Sequence, residues 1–249
     1  MIESQLIEGD WLTEAPGLAP CSADLLYADP PFNTGKAQTA QAGSYADAWP
    51  TTEAWVTWLE QRLTATLPAL KPTASILLHV DWRTSHHARL LLDRLLGPDH
   101  FVNHLVWSYG LGGSSPRRFA RKHDDILFYA IDPARYYFEP PMVPATSNRM
   151  KGQLKKATDV IDIPTDVIKV PSLNNMAGER AGYPTQKPLA LLEMLVGACC
   201  PPGGAVLDPC CGSGTTLVAA ATSGRHATGI DRNPEAIAVA QARLAGPAP

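Results

Sequence analysis

Charge is scarce in this chain, and so are long apolar runs and cysteine. Of 249 residues only 18 % are charged, and the formal net charge is −3. That excludes a protein that coats nucleic acid indiscriminately. It leaves room for a local basic patch, because phosphate contact needs only a few well-placed cations. No apolar stretch is long enough to cross a bilayer, and Met1-Ile2-Glu3-Ser4 does not open like a secretory signal, so no membrane partner is expected. The five cysteines are Cys21, Cys199, Cys200, Cys210 and Cys211. An odd count with two adjacent pairs is not a disulfide framework. Adjacent pairs also lack the two-residue spacer of structural zinc sites, so no metal is expected. The expectation is a reduced, cytoplasmic protein with small buried thiols.

What is present is apolar mass: 45 % of the residues are hydrophobic, enough for a large core. The length allows one α/β domain of ordinary size or two small ones. No internal repeat is seen. Short strands are expected over 5–8, 23–28, 75–80, 101–107, 125–131, 205–208 and 226–231. Helical spacing of apolar residues marks 52–70, ended by Lys71-Pro72, and helices are also expected over 84–96, 187–200, 215–223 and 234–244. Strands alternating with helices imply a largely parallel sheet covered on both faces. Residues 110–124, GLGGSSPRRFARKHD, are Gly/Ser-rich and then basic, and about 132–184 is irregular and proline-rich. The six tryptophans are read as core.

Two stretches carry chemistry. The first is LLYADPPFNTGK, residues 25–36. Two adjacent prolines have no N–H for a sheet and fix φ, so they stop the strand. Asp29 is thereby held stiffly at a strand end, with Phe32 just beyond it. The second is AVLDPCCGSGTTL, residues 205–217. A buried strand ends at Asp208, glycines allow a tight turn close to a ligand, and a helix N-terminus presents N–H groups. Asp231 closes HATGID about twenty residues later, where a ribose-binding acid belongs. Leu217 replaces the third glycine of the dinucleotide fingerprint, so a diphosphate has no obvious cradle. A nucleoside with a charged amino-acid tail fits better, with Asp208 facing the ammonium and Asp231 the ribose. That describes S-adenosylmethionine.

Only one strand–helix unit follows the glycine turn, so the remaining strands must come from the N-terminus. Strand 5–8 is expected to continue from Asp231's strand, with the strand ending at Asp29 coming next. Asp208, Asp231, Asp10 and Asp29 then close neighbouring strands.

Five motifs in this order resemble those of the S-adenosylmethionine-dependent DNA amino-methyltransferases, the N6-adenine/N4-cytosine family, in its permuted β class. Asp29-Pro30-Pro31-Phe32 resembles the catalytic D-P-P-Y/F. Asp208 to Thr216 resembles D-P-F-x-G-S-G-T-T, and Tyr183 to Pro188 resembles H-P-T-Q-K-P. Arg121 to Tyr129 resembles K-H-E-x-I-L-F-Y, and Gly229 to Glu235 resembles G-I-D-x-N-P-E. The resemblance covers almost the whole chain. It implies a doubly wound, mostly parallel Rossmann-like methyltransferase sheet, circularly permuted, with a small irregular target-recognition insertion. The catalytic half would span 1–131 with the basic loop 110–122, the target reader 132–182, and the cofactor half 183–249.

The resemblance also implies roles. Asp29, Pro30, Pro31 and Phe32 would be catalytic. Asp10, Asp29, Gln186, Lys187, Asp208, Cys210, Gly212, Ser213, Gly214, Thr215, Asp231 and Arg232 would hold S-adenosylmethionine and its product S-adenosylhomocysteine. Lys36, Arg117, Arg118, Arg121, Lys122 and His123 would contact double-stranded DNA. His79, Asp81 and Trp82, at another strand end, would line or support the target pocket. A reader so short implies a short site or help from a second subunit in a homodimer, and a cognate restriction endonuclease is the partner such enzymes can have. Asp at position 29 favours N6-adenine, N4-cytosine being the alternative. A silent DNA-binding module and an RNA or protein methyltransferase are the rivals from other classes. Two residues depart from the pattern. Cys210 stands where the family has Phe, thinning the packing against the cofactor, and Phe32 lacks the hydroxyl of Tyr.

Overall fold

The structure is a computed structural model, and it describes residues 2–40, 43–109, 115–145, 152–161 and 185–246. In chain order the elements are β1 (Ser4–Glu8), α1 (Trp11–Glu14), β2 (Ala23–Ala28), β3 (Lys36–Ala40), β4 (Gly43–Asp47), α2 (Thr52–Thr66), β5 (Leu70–Val80) and α3 (Ser85–Leu96). They continue with β6 (Phe101–Ser108), β7 (His123–Ala130), β8 (Met142–Pro144), β9 (Leu154–Lys156), β10 (Val160–Ile161), α4 (Leu189–Cys199), β11 (Ala205–Asp208), α5 (Thr215–Thr222), β12 (His226–Asp231) and α6 (Pro234–Ala245).

One eight-stranded sheet runs β1-β12-β11-β2-β5-β7-β6-β10. All neighbours are parallel except β7, which is antiparallel to both β5 and β6. Side chains alternate across the sheet as the period of two demands. Leu25 and Tyr27 of β2 join α4 and α5 on one face, while Leu26 and Ala28 join α2 and α3 on the other. Both faces are therefore covered, which is why β2 and β5 read as continuous apolar runs. Among the described residues, no helix is long and apolar enough to cross a membrane.

Three expectations need correction. The strand ending at Asp29 does not follow β1. β12 spends its two edges on β1 and β11, and β2 takes the other side of β11. Burial explains the choice: all six residues of β2 are buried, whereas β1 is exposed or half-buried throughout, as an edge strand can be. Helix α2 stops at Thr66, and Lys71-Pro72 lies inside β5 instead of ending a helix. Proline is tolerated there because the register shifts between Ala23 and Leu25, leaving Pro72 in an unpaired bulge. Finally, the strand read as 125–131 begins at His123, so the basic loop is the β6–β7 connection. Of the supposed target reader, 132–145 and 152–161 are described and contain β8, β9 and β10. Residues 110–114, 146–151 and 162–184 lie outside the described residues.

Candidate active site

Asp10 follows β1, Asp231 ends β12, Asp208 ends β11 and Asp29 follows β2, so four acids close four consecutive strands. Open α/β sheets bind ligands at this edge. A cavity of about 460 Å³ opens there and touches all four acids.

Each acid is held differently. Asp10 caps α1 by accepting Leu12 N–H at 2.9 Å, and Arg62 Nη2 donates to both its oxygens at 2.7 and 3.0 Å. Asp29 Oδ2 takes the Lys187 ammonium at 2.7 Å. Asp231 accepts backbone N–H groups of Gly212 and Asn233 at 2.9 and 2.8 Å. Asp208 accepts that of Cys210 at 3.2 Å. Among the described residues neither Asp208 nor Asp231 has an ion-pair partner. Burial, aided by the charges of Asp29 and Asp231, pushes the Asp208 carboxyl up to about 7 against hydrogen bonds from Thr216 and Cys210. Burial also raises Asp231, against the N–H groups of Asn233 and Gly212. A ligand with a cationic tail and a diol would meet an unpaired buried acid at one end and a fixed acceptor at the other.

The glycine turn between β11 and α5 has a backbone reason. Gly212 and Gly214 sit at φ 50° and 74°, the left-handed region that glycine enters without penalty. A Cβ on Gly214 would stand 2.7 Å from Ala240 Cβ, so the approach of α6 also requires glycine. Ser213 and Thr215 line the cavity, but their side-chain oxygens already accept from Arg243 of α6, at 3.1 and 2.8 Å. Through Arg243 they also brace the turn against α6. Cys210 also lines the cavity, and burial together with Asp208 and Asp29 pushes its thiol well above the ordinary value, so it stays protonated. The aromatic wall it lacks comes from Trp49 and Trp58, with Trp11 behind, all lining the cavity. Trp11, Trp55 and Trp107 are buried as expected, and Trp49 and Trp58 are half-buried against the same core while also facing the cavity.

The turn after β2 is clamped from below. Trp55 Nε1 donates to the Pro31 carbonyl at 2.8 Å. Asn33 takes φ 57°, and its N–H donates to Asp47 Oδ1 at 2.6 Å, while Thr34 Oγ1 donates to Asp47 Oδ2 at 2.6 Å. Asp47 is buried, and nothing in the sequence had singled it out. Asp29 and Pro31 face the cavity, Pro30 is buried, and Phe32 turns onto His79, with ring centroids 6.0 Å apart at 22°.

Beneath Phe32 runs a buried relay. Tyr27 Oη lies 2.9 Å from His79 Nδ1, and His79 Nε2 lies 3.2 Å from Asp124 Oδ2. Burial, helped by the charges of Asp29 and Asp208, raises the Tyr27 phenol well above its ordinary value. It therefore stays protonated, hydrogen-bonded to His79, whose Nε2 faces the Asp124 carboxylate. Burial opposes charge on Asp124, yet His79, Lys187 and Tyr109 hold its carboxyl below the usual range. Burial also opposes charge on Lys187, but Asp29 and Asp124 outweigh it and raise its pKa, so the ammonium is fixed. Lys187 lines the cavity, binds Asp29 and sits 5.0 Å from the Phe32 centroid.

Gln186 and Arg232 line the cavity as expected. The six residues read as DNA contacts are elsewhere. Lys36 is exposed on β3, and Arg117, Arg118, Arg121 and Lys122 are exposed on the β6–β7 loop. His123 is half-buried in β7, paired with Ser108. Asp81 accepts from Arg83, and the Arg121 guanidinium lies 3.3 Å over the Trp82 ring.

Comparison with known proteins gives the family. Residues 23–242 match the model of the N6/N4 methyltransferase family, described as DNA methylase. The type II methyltransferase M.ScaI of Streptomyces caespitosus is 29 % identical over 96 % of this chain and 80 % of its own length. The DNA adenine methyltransferase YhdJ of Escherichia coli K12 is 28 % identical over 96 % of this chain and 82 % of its own. The crystal structure of M1.HpyAVI in complex with S-adenosylmethionine superposes with a TM-score of 0.65 at 19 % identity, over 98 % of this chain and all of that one, and so shares the fold. The chain belongs to the N6/N4 family of DNA methylases.

Proposed function

We propose that this chain transfers a methyl group from S-adenosylmethionine to the exocyclic N6 of an adenine flipped out of duplex DNA. The observation that carries the reading is Asp29: a carboxylate on the cavity wall with one oxygen fixed by Lys187 and the other left for an amine proton. The cavity suits the cofactor, since Asp208 is a buried acid without a cation among the described residues, Asp231 is a pre-set acceptor, and Trp49 and Trp58 supply flat apolar walls. When bound, S-adenosylmethionine supplies an electrophilic methyl group.

The residues do the rest by position and charge. An exocyclic amine is a poor nucleophile because its lone pair is delocalised into the ring. Asp29 accepts one N–H and the Pro30 carbonyl the other, which draws the nitrogen toward tetrahedral geometry and aims its lone pair. Lys187 keeps Asp29 oriented. Phe32 offers a stacking face, worth about 1–3 kcal/mol against a flipping cost of a few. Gln186, Gly212, Gly214 and Arg232 complete the cofactor side, and Lys36 and the basic loop the DNA side.

Asp at position 29 favours adenine. N4-cytosine is the second reading, because the family includes both and the two amines have the same local geometry. Residues 132–182 are the reader in this scheme, with a second subunit supplying contacts that so short a segment lacks. The chain would work in the cytoplasm, alone or beside a cognate endonuclease. The test is nucleoside mass spectrometry on plasmid DNA from a methylation-free host expressing the chain or its Asp29→Ala variant. N6-methyladenine from the native chain alone supports the reading, with S-adenosylmethionine binding nearly unchanged in the variant. N4-methylcytosine overturns the base assignment, and equal methylation by Asp29→Ala overturns the site.

A further inference from the structure

Phe119 is the most exposed large apolar residue of the described chain, 97 % accessible, and it stands in the middle of Arg117, Arg118, Arg121 and Lys122. Among the described residues this exposed benzyl group, set in a loop of four cations, has no ring or apolar partner. Its place in the fold is specific. The loop leaves β6 and returns into β7, whose amino end lies at the carboxyl edge of β5, the edge that holds Asp29. The base of the loop is tied to the site. Tyr109 N–H donates to the Lys122 carbonyl at 2.9 Å, Arg121 stacks on Trp82, and Asp124 binds His79, which stacks on Phe32. The cations suit a phosphate backbone, and an apolar ring projected between phosphate contacts suits the space between base pairs.

We propose that Phe119 is a wedge that enters the duplex and fills the gap left by the flipped base, while the flanking arginines grip the phosphates. This rests on the reading of the chain as a methyltransferase of duplex DNA. Phe32 would then receive the base outside the helix and Phe119 replace it inside, so that both stacks lost on flipping are partly restored.

The test compares native protein, Phe119→Ala and Phe119→Trp on plasmid DNA, and then on short duplexes carrying the site mapped from that plasmid. In a second duplex an abasic residue stands opposite the target base. Phe119→Ala is expected to lose about 10- to 100-fold in kcat/KM on the paired duplex. It should recover most of that on the abasic duplex, where no pair has to be broken, and Phe119→Trp should stay within a few-fold of native. Because the side chain is exposed, the variant should fold and bind S-adenosylmethionine normally. The wedge is overturned if Phe119→Ala matches native protein on the paired duplex, or loses the same factor on both duplexes. A native protein that methylates no DNA would overturn the underlying reading, a separate and recognisable outcome.

Discussion

Replacing Asp208 by Asn is expected to stabilise the ligand-free protein, increasingly so as pH rises. Asp208 is buried, without an ion-pair partner, and its carboxyl is raised from the ordinary 3.8 to about 7. The folded state therefore binds its proton more tightly than the unfolded chain does. Stability from this group is fully present below the unfolded value, falls as pH rises, and levels off above about 7. Each pH unit in that window is worth about 1.4 kcal/mol, so two units from pH 5 to pH 7 amount to about 3 kcal/mol. Asn is nearly isosteric and has no such term. Urea unfolding of both proteins at pH 5, 6, 7 and 8 reads the difference directly. The variant should gain about 3 kcal/mol on native protein between pH 5 and 7 and nothing more by pH 8. Saturating S-adenosylmethionine should reverse the order, because the charge that destabilises the empty protein is the one that meets the ligand's ammonium. Parallel pH profiles would refute the argument that Asp208 is an uncompensated buried acid, and equal ligand-induced stabilisation would refute its role toward the cofactor.

Lys187→Met removes the ammonium 2.7 Å from Asp29, whose pair is only 11 % and 18 % exposed on its two sides, so a loss of about 3 kcal/mol in urea unfolding is expected. Single-turnover methylation should fall at least about 100-fold, as losing one aimed charge costs at a preorganised site, with cofactor affinity changed less than about 10-fold. The opposite split would return Lys187 to the cofactor tail. Gly214→Ala meets both a left-handed φ and a Cβ contact at 2.7 Å, whereas Gly224, at φ 76°, has nothing within 4 Å. Gly214→Ala is expected to cost about 2–4 kcal/mol and Gly224→Ala about 1, and equal losses would mean that α6 yields freely.

The parts legible in the sequence are those that a short run dictates by itself. Asp29-Pro30-Pro31 stops a strand through proline chemistry, and residues 212–214 turn because two glycines take positive φ. Strand ends at 28, 208 and 231 were placed correctly for that reason. Contacts between distant segments were not legible. That β2 lies beside β11 depends on which strand is buried through its whole length. The pairing of Lys187 with Asp29 spans most of the chain, and local pattern assigned the lysine to a helix start or a ligand tail. Asp47 looked like any loop acid, yet it is buried and holds Asn33 and Thr34, which makes the hairpin of β3 and β4 the brace of the Asp29 turn.

Those distant contacts also explain how one edge can hold four acids. Asp10 is neutralised by Arg62 and Asp29 by Lys187, both reached from other elements. Asp208 and Asp231, between them in the sheet, have backbone N–H groups but, among the described residues, no ion-pair partner. The charges at the two ends are spent within the protein, and in the proposed function those in the middle meet the ligand. A protein cation beside Asp208 would make the empty fold more stable and leave the cofactor's ammonium redundant. If Asp208 meets the cofactor's ammonium as proposed, the stability given up there is the interaction that favours a cationic nucleoside.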